Sequence, residues 1–193
     1  MLLAKIRKNS NSPETCAKSE RGRKNERRRS KDSFFSFRII LSAFIFALVL
    51  NVCFIVNAVV PSGSMEPAIP SGQAVIGWRL AYIQKAPKRG DIVIFRHEES
   101  DRKLLKRIAA VQGDTVEVRS DGVWINDLLY AECTAQSTDE IKTYQVPEGS
   151  YFLIGDNFDN SFDSRNWEYP YVSREEIIAR VIFGYFPKMY IIE

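Results

Sequence analysis

Residues 39–67 read IILSAFIFALVLNVCFIVNAVVPSGSMEP, and they separate two very different parts of the chain. The first 22 of these residues, Ile39 to Val60, carry no charge, and as a helix they would be roughly 33 Å long. That length is enough to cross the hydrocarbon core of a membrane. A cleavable signal peptide is the alternative, but its apolar core is usually shorter and starts nearer the N-terminus. We therefore predict one transmembrane helix at residues 39–60.

The residues before this span are strongly basic. Residues 1–33 hold eleven Lys or Arg against four acids, a net charge of +7, whereas the whole chain carries only +3. A basic tail is compatible with nucleic-acid binding, but its position beside an apolar span favours a signal for membrane topology. We predict a disordered cytoplasmic tail at residues 1–38, an extracytoplasmic domain at residues 61–193, and no nucleic-acid partner.

The turn after the span places a serine under unusual backbone constraint. Ser64 lies between Gly63 and Met65, with Pro61 and Pro67 three residues away on either side. Proline fixes its own backbone, and we expect the glycine to free the backbone beside the serine. A hydroxyl held in this way next to a membrane is a candidate nucleophile, although clusters of Pro, Ser and Gly are usually linkers.

The residues after the turn have mostly the pattern of β-strands. Short apolar or alternating runs are separated by turn signals, and one pair of runs around Ser120-Asp121-Gly122 predicts a hairpin. We therefore predict a mainly β domain, with loops around residues 97–103 and 128–150. The predicted strands are residues 74–78, 91–95, 115–118, 123–125, 151–154 and 177–185.

One predicted strand, residues 104–111, carries two adjacent cations. Lys106 shares its face with Leu104 and Ile108, while Arg107 shares the opposite face with other apolar residues. A lysine on an apolar face loses hydration, and its pKa falls towards neutrality. A neutral amine can take the proton of a serine hydroxyl, whereas arginine cannot act as a base. A solvent-facing lysine on an edge strand is the equally open alternative.

Two other kinds of site are weaker. A cysteine nucleophile would have to be Cys133 with His97 as its base, but His97 lies in a charged stretch that we interpret as a solvated turn. The loop at residues 155–165 resembles a calcium loop in composition, yet Ser161 occupies the position where the EF-hand requires glycine. In that loop we expect Asp163 and Arg165 to pair, and Ser161 to orient a neighbouring amine.

In chain order, four stretches resemble bacterial type I signal peptidases, in particular the compact single-span type of Gram-positive bacteria. The similarity covers the chain from about Ile39 to Tyr185. Each motif is weak alone, but the ordered set after one membrane span is specific. The four stretches are PSGSMEP at 61–67, RGDIVIF at 89–95, KRIAAVQGD at 106–114 and GDNFDNSFDSR at 155–165.

The resemblance implies a role for each candidate residue. Ser64 is the implied nucleophile and Lys106 the implied general base. Ser62 and the Ser64 backbone N–H are the implied oxyanion hole, and Ser161 is the implied residue that orients the lysine. The remaining implied feature is a structural salt bridge near the site, between Asp163 and Arg165.

The resemblance also implies a fold and a substrate. The expected fold is an antiparallel β domain with a small barrel-like core, preceded by the transmembrane helix, and it needs neither cofactor nor metal. The expected substrates are the signal peptides of secreted preproteins, cut after small residues in an Ala-X-Ala pattern. The expected partners are therefore these signal peptides, membrane lipid and the secretion machinery. Two departures from the family pattern stand out: Phe158, where arginine is usual, and Glu168, where glycine is common.

Two other functions remain open at this point. A self-cleaving repressor of the DNA-damage response shares related serine–lysine motifs, but the membrane span and the absence of a helix-turn-helix pattern in residues 1–33 argue against it. A membrane-anchored β module without activity is the other alternative. Retention of Ser64, Lys106 and Ser161 together argues against that alternative.

Overall fold

The structure is a computed structural model that describes residues 35–98, 100–132 and 141–192. The predicted tail up to residue 34 and Cys133 lie outside the described residues. The chain divides into two units, residues 1–49 and 50–193. One helix, α1 at Phe35–Phe54, has 20 residues and is long and apolar enough to cross a membrane.

The predicted helix at 39–60 is displaced, because helix α1 begins at Phe35, within the tail predicted to be disordered up to residue 38, and ends before residue 60. Helix α1 ends at Phe54, and the next five residues form strand β1, Ile55–Val59. This strand pairs antiparallel with β2, from Ile55 opposite Trp78 to Val59 opposite Ala74. Val56 is buried in the core of the second unit. An uninterrupted apolar run does not show where a helix gives way to a strand, because both bury such residues.

The predicted mainly antiparallel β domain is confirmed. Its large sheet has the strand order β1-β2-β11-β3-β4-β9-β10, with β12 paired to β11. After β1, the strands of this sheet are β2 Ala74–Trp78, β3 Ile92–His97, β4 Ser100–Val111, β9 Ser150–Ile154, β10 Tyr171–Ser173, β11 Ile177–Phe186 and β12 Tyr190–Ile191. All of its pairings are antiparallel.

A second, smaller sheet has the order β7-β6-β5-β8. Its strands are β5 Thr115–Arg119, β6 Gly122–Ile125, β7 Leu128–Glu132 and β8 Lys142–Gln145. The predicted hairpin is therefore present as β5 and β6. The loops predicted around 97–103 and 128–150 are wrong, because β4 begins at Ser100 and both β7 and β8 lie in the second range. Strands β7 and β8 turn few residues inward, so their sequences lack clear alternation.

Candidate active site

The segment that carries the candidate serine, residues 60–67, is here called the nucleophile turn. Residues Gly63–Met65 form one 3-10 turn, and Ser62 before it is extended. Met65 is fully buried in the core that also holds Val56, so its side chain anchors the turn to that core. The Val60 N–H donates to the Gln73 carbonyl over 2.9 Å. The turn is thus fixed by backbone bonds and one apolar side chain.

The two serines of the nucleophile turn face one another. Ser62 Oγ donates to Ser64 Oγ over 3.3 Å; the Ser62 side chain is exposed and Ser64 is half-buried. Gly63 does not have a left-handed backbone, so the expected conformational freedom is not its role. A Cβ atom at Gly63 would instead come within 3.2 Å of the Glu66 carboxyl group. Glycine therefore gives room beside the serine.

Lys106 lies on the buried face of β4. In the register with β3 it stands opposite Val93, a fully buried residue, and only 5% of Lys106 itself is exposed. Its Nζ donates to Ser161 Oγ over 2.9 Å. Burial lowers the pKa of Lys106, and the nearby charge of Asp163 opposes this effect by raising it. The alternative of a solvent-facing lysine is therefore wrong.

The neighbouring cation has a different environment. Arg107 binds the Asp156 carboxylate through two nitrogens, over 2.7 and 2.8 Å, and donates to the Gly90 carbonyl over 2.7 Å. Successive residues of a strand point to opposite faces, which separates Arg107 from Lys106. The ion pair ties β4 to the loop that follows β9.

That loop, residues 155–165, is here called the lysine loop, and a buried ion pair fixes it. Arg165 Nε donates to Asp163 Oδ1 over 2.8 Å, and both side chains are at most 2% exposed. The other carboxylate oxygen of Asp163 accepts the Gly155 N–H over 3.0 Å. The pair expected from the sequence is thus present, and it holds the two ends of the loop together.

The lysine loop also contacts the nucleophile turn directly. The Asn157 N–H donates to the Ser64 carbonyl over 3.1 Å, and Asn157 Nδ2 donates to the Gly63 carbonyl over 3.0 Å. At Gly155 a Cβ atom would lie 2.2 Å from Ser161 Oγ and 2.4 Å from the Ser64 carbonyl oxygen. Gly155 and Asn157 have no role predicted from the sequence, although both lie in the motif at residues 155–165. The contact between the lysine loop and the nucleophile turn joins segments that are far apart in sequence, so no local sequence pattern predicts it.

Both candidate residues open into one cavity of about 560 Å³. Ser62, Ser64 and Lys106 line it, while Ser161 stands behind the lysine amine. In the part of the chain that the structure describes, no hydrogen bond joins Ser64 Oγ to Lys106 Nζ. Such bonds are often long in enzymes without substrate. The cavity therefore brings together the hydroxyl and the amine, with access for a further molecule.

The prediction that the only histidine, His97, lies in a solvated turn is wrong. His97 ends strand β3, is 3% exposed and packs on Trp167 with 4.1 Å between ring centroids. One ring nitrogen, Nε2, lies 2.9 Å from the Tyr169 carbonyl oxygen. Strand β3 buries residues 92–95 in succession, exposes Arg96 and turns His97 inward despite its charged neighbours.

A half-buried serine and a buried lysine thus line one cavity, and these two residue types can together perform nucleophilic catalysis. The family described as "Signal peptidase, peptidase S26" matches residues 33–186. The chain belongs to this family.

Curated relatives agree with this assignment. Thylakoidal processing peptidase 1 of Arabidopsis thaliana is 35% identical over 141 residues, which cover 66% of this chain and 41% of the relative. Signal peptidase I of Bacillus licheniformis is 28% identical over 170 residues, which cover 81% of this chain and 91% of the relative. Probable signal peptidase I-2 of Synechocystis is 31% identical over 136 residues and is covered to 62%. The chain thus spans about two fifths of the plant enzyme and nearly all of the Bacillus one.

Proposed function

We propose that this protein is a membrane-anchored serine endopeptidase that cleaves signal peptides from secreted preproteins after small residues, in an Ala-X-Ala pattern. The observation that carries the proposal is the position of Lys106 Nζ. Lys106 is buried and its amine donates to Ser161, while the residue lines the same cavity as Ser64. Relatives named signal peptidase I support the reaction class.

In the proposed reaction, Ser64 Oγ bonds to the carbonyl carbon of the scissile peptide while its proton passes to the neutral amine of Lys106. The Ser62 hydroxyl and the Ser64 N–H stabilise the negative oxygen of the tetrahedral intermediate. The C–N bond then breaks as the lysine returns the proton to the leaving amine. A water molecule then attacks the carbonyl carbon of the resulting ester while Lys106 takes a proton from it. The bond between that carbon and Ser64 Oγ breaks, and Lys106 returns the proton to Oγ, which restores the serine.

Supporting residues keep the amine ready for this step. Ser161 Oγ accepts a hydrogen bond from Lys106 Nζ and orients the amine towards the cavity. The buried pair of Asp163 and Arg165 fixes the loop that carries Ser161. Because the lysine is largely buried, its neutral form is more accessible near physiological pH than that of a lysine in water. The reaction requires neither a cofactor nor a metal.

The substrate would bind as an extended strand. Strand β1 pairs only with β2 among the described strands, so its other edge has no strand partner. Residues 103–106 of β4 pair with β3 on one side, but the pairing with β9 on the other side starts only at Arg107. Residues from both strands line the cavity, including Ala58, Val59 and Leu105. Strand edges without a partner bind extended peptides through backbone hydrogen bonds. The two edges point to a peptide held beside Ser64.

The membrane orientation follows from charge. The basic segment before helix α1 is expected to remain cytoplasmic, which places the β domain and its cavity outside. Signal peptides cross the same membrane, so an anchored enzyme meets the cleavage site in a common plane. Such substrates arrive from the secretion machinery, which is therefore a proposed partner.

Membrane lipid is a further proposed partner. Along the register of the large sheet, one face of β1, β2, β11 and β12 carries exposed apolar residues: Val59, Trp78, Phe186 and Ile191. The solvated face of an antiparallel sheet is normally polar. Since β1 follows directly on the apolar helix α1, this face is suited to contact lipid.

Cleavage of a preprotein with an Ala-X-Ala site by detergent-solubilised protein tests the proposal. We expect cleavage after that motif by the wild type, and none above background by Ser64→Ala or Lys106→Arg. Each variant must first give the wild-type unfolding transition, so that lost activity is not lost folding. Full activity in Lys106→Arg would exclude the lysine base. Binding of the preprotein by all three proteins without turnover would favour an inactive binding module.

A further inference from the structure

The ring of Phe158, in the lysine loop, contacts the small sheet. The residue begins a 3-10 turn, Phe158–Asn160, in the middle of the lysine loop. Its ring meets the ring of Tyr130, on β7, edge to face at 89° with 6.4 Å between centroids. Both side chains are half-buried at the border of one apolar cluster. An edge-to-face pair of this kind is favourable beyond its buried area.

The residues on either side of Phe158 connect the two candidate catalytic groups. Before it, Asn157 donates two hydrogen bonds to the nucleophile turn, at Gly63 and Ser64. After it, Ser161 accepts the hydrogen bond of Lys106 Nζ. This five-residue segment, 157–161, is thus a short bridge from the serine to the lysine. A displacement of the bridge would change the position of one group relative to the other.

Phe158 is fastened on two sides. Its carbonyl oxygen accepts a hydrogen bond from Arg165 Nη2 over 2.8 Å, which ties the backbone to the buried ion pair with Asp163. Its ring is held by Tyr130 on the other side. The backbone contact survives any substitution, whereas the ring contact depends on this side chain alone. A phenyl ring also adds no charge to a loop whose charges act on Lys106.

We propose that Phe158 is a positioning residue: its contact with Tyr130 holds the bridge 157–161 in place and thereby keeps Ser64 and Lys106 correctly placed relative to one another. In this chain, aromatic packing against the small sheet holds the middle of the lysine loop in place. The inference rests on the proposed function. It gives the small sheet a role in catalysis, although that sheet contributes no side chain to the cavity among the residues described.

The test compares Phe158→Ala, Tyr130→Ala and the double variant with wild type in preprotein cleavage. We expect kcat to fall about 10- to 100-fold in each single variant, with KM nearly unchanged, because a small misplacement of reacting groups costs rate rather than binding. The double variant should lose no more than one single variant, since both changes remove the same contact. Tyr130→Phe keeps the ring and should retain wild-type activity.

A second readout separates positioning from mere loss of stability. Loosening the bridge admits water to Lys106. The charged groups that act on its pKa, Asp163, Asp156 and Arg165, all remain, so the change is in burial alone. Since burial is the largest cause of its lowered pKa, the acid limb of kcat should move to higher pH in Phe158→Ala. Tyr144→Ala is the matched control. Its ring lies at the same cluster against Phe152, 5.2 Å between centroids, and it should leave the acid limb in place.

The outcomes are distinct. Wild-type kcat and an unmoved acid limb in both Phe158→Ala and Tyr130→Ala would overturn the inference while leaving the proposed function intact. The same shift in Tyr144→Ala would also overturn it, because any weakening of the cluster would then suffice. If one single variant fails to unfold cooperatively, the other carries the test. Absence of cleavage by the wild type would overturn the proposed function and this inference together.

Discussion

The nucleophile turn and the lysine loop meet at the same cavity but are held by different forces. Backbone hydrogen bonds and the buried side chain of Met65 fix the turn, and Ser62 beside Ser64 is exposed. The lysine loop depends on charge: Asp163 and Arg165 form a buried pair, and Asp156 pairs with Arg107 of β4. The difference follows from what each group must do.

A serine nucleophile must be reached by a peptide, so its surroundings stay open and need few polar partners. A lysine base must lose its proton near neutral pH, which requires a dry environment. Charges close to such a lysine shift its pKa in one direction or the other. They are tolerated in a buried loop only when each is paired. Each carboxylate of the lysine loop that acts on the pKa of Lys106 is paired, Asp163 with Arg165 and Asp156 with Arg107.

The pH dependence of cleavage gives the largest expected effect. The pKa of Lys106 is lowered from the ordinary lysine value of 10.5, chiefly by burial. Only the neutral amine accepts the serine proton, so below that pKa the rate should fall about tenfold for each unit of pH. The measurement is kcat of the wild type across the pH range in which the protein stays folded. A profile without an acid limb would contradict a lysine base.

Gly155→Ala breaks the contact between the two regions. The new methyl group would lie 2.2 Å from Ser161 Oγ and 2.4 Å from the Ser64 carbonyl oxygen, so turn and loop must separate. We expect kcat to fall about 100-fold, the order of loss that a misplacement of about 1 Å produces. Steady-state kinetics measures this, with thermal unfolding as the check on folding. Wild-type kcat in a folded variant would show that the spacing of the two regions is not critical.

Asp163→Asn tests whether charge holds the lysine loop. Removing the anion leaves Arg165 buried without its ion-pair partner, and loss of one member of a buried pair costs about 3–5 kcal/mol of unfolding free energy. Denaturant unfolding at neutral pH measures this loss.

The same variant has a second, independent signature. The charge of Asp163 raises the pKa of Lys106, while Arg165 lowers it. Without the carboxylate the pKa should fall further, so the acid limb of kcat in the folded fraction should move to lower pH. This direction is opposite to the one expected for Phe158→Ala. An acid limb moved to higher pH would mean that water enters the site when the pair is lost.

Asn157→Ala removes one hydrogen bond between loop and turn. The side chain donates to the Gly63 carbonyl over 3.0 Å, while the backbone bond to the Ser64 carbonyl remains. A neutral hydrogen bond contributes about 0.5–1.5 kcal/mol, which corresponds to a loss of about 2- to 10-fold if all of it appears in kcat. Gln112→Ala is the control, because it removes a neutral hydrogen bond of the same length, from the Gly149 N–H to Gln112 Oε1 over 3.0 Å, away from the cavity. Equal losses in both variants would contradict a specific role of the Gly63 contact.

Much of this arrangement could be predicted from the sequence, because its signals are local. The alternation in β5 and β6 and the turn between them marked the hairpin. The two adjacent cations of β4 had to face opposite sides, which made a buried lysine possible. The expected pairing of Asp163 with Arg165 depended on two oppositely charged residues only two positions apart.

Other features could not be predicted, because they depend on contacts between distant segments. The burial of His97 depends on Trp167, which lies seventy positions further along the chain. The need for glycine at 155 arises from Ser64, and the partner of Phe158 lies on β7, a strand whose own pattern was too weak to recognise. The end of helix α1 was missed since β1 is as apolar as the helix. Sequence patterns indicate which face of an element is buried but not what covers it.

Arg119→Ala in the small sheet should have the smallest effect, and it limits how far the site extends. Arg119 pairs with Glu117 and stacks on Trp124, 4.5 Å from the ring centroid, on a surface that touches neither the turn nor the lysine loop. The pair is half-buried and open to solvent on one side, and such pairs contribute little, so we expect a stability loss of about 1 kcal/mol or less and unchanged kcat. Parallel unfolding and cleavage measurements check both. A clear fall in kcat would mean that the small sheet acts on the site as a whole. An unchanged kcat, beside a loss in Tyr130→Ala, would confine its influence to the contact between Tyr130 and Phe158.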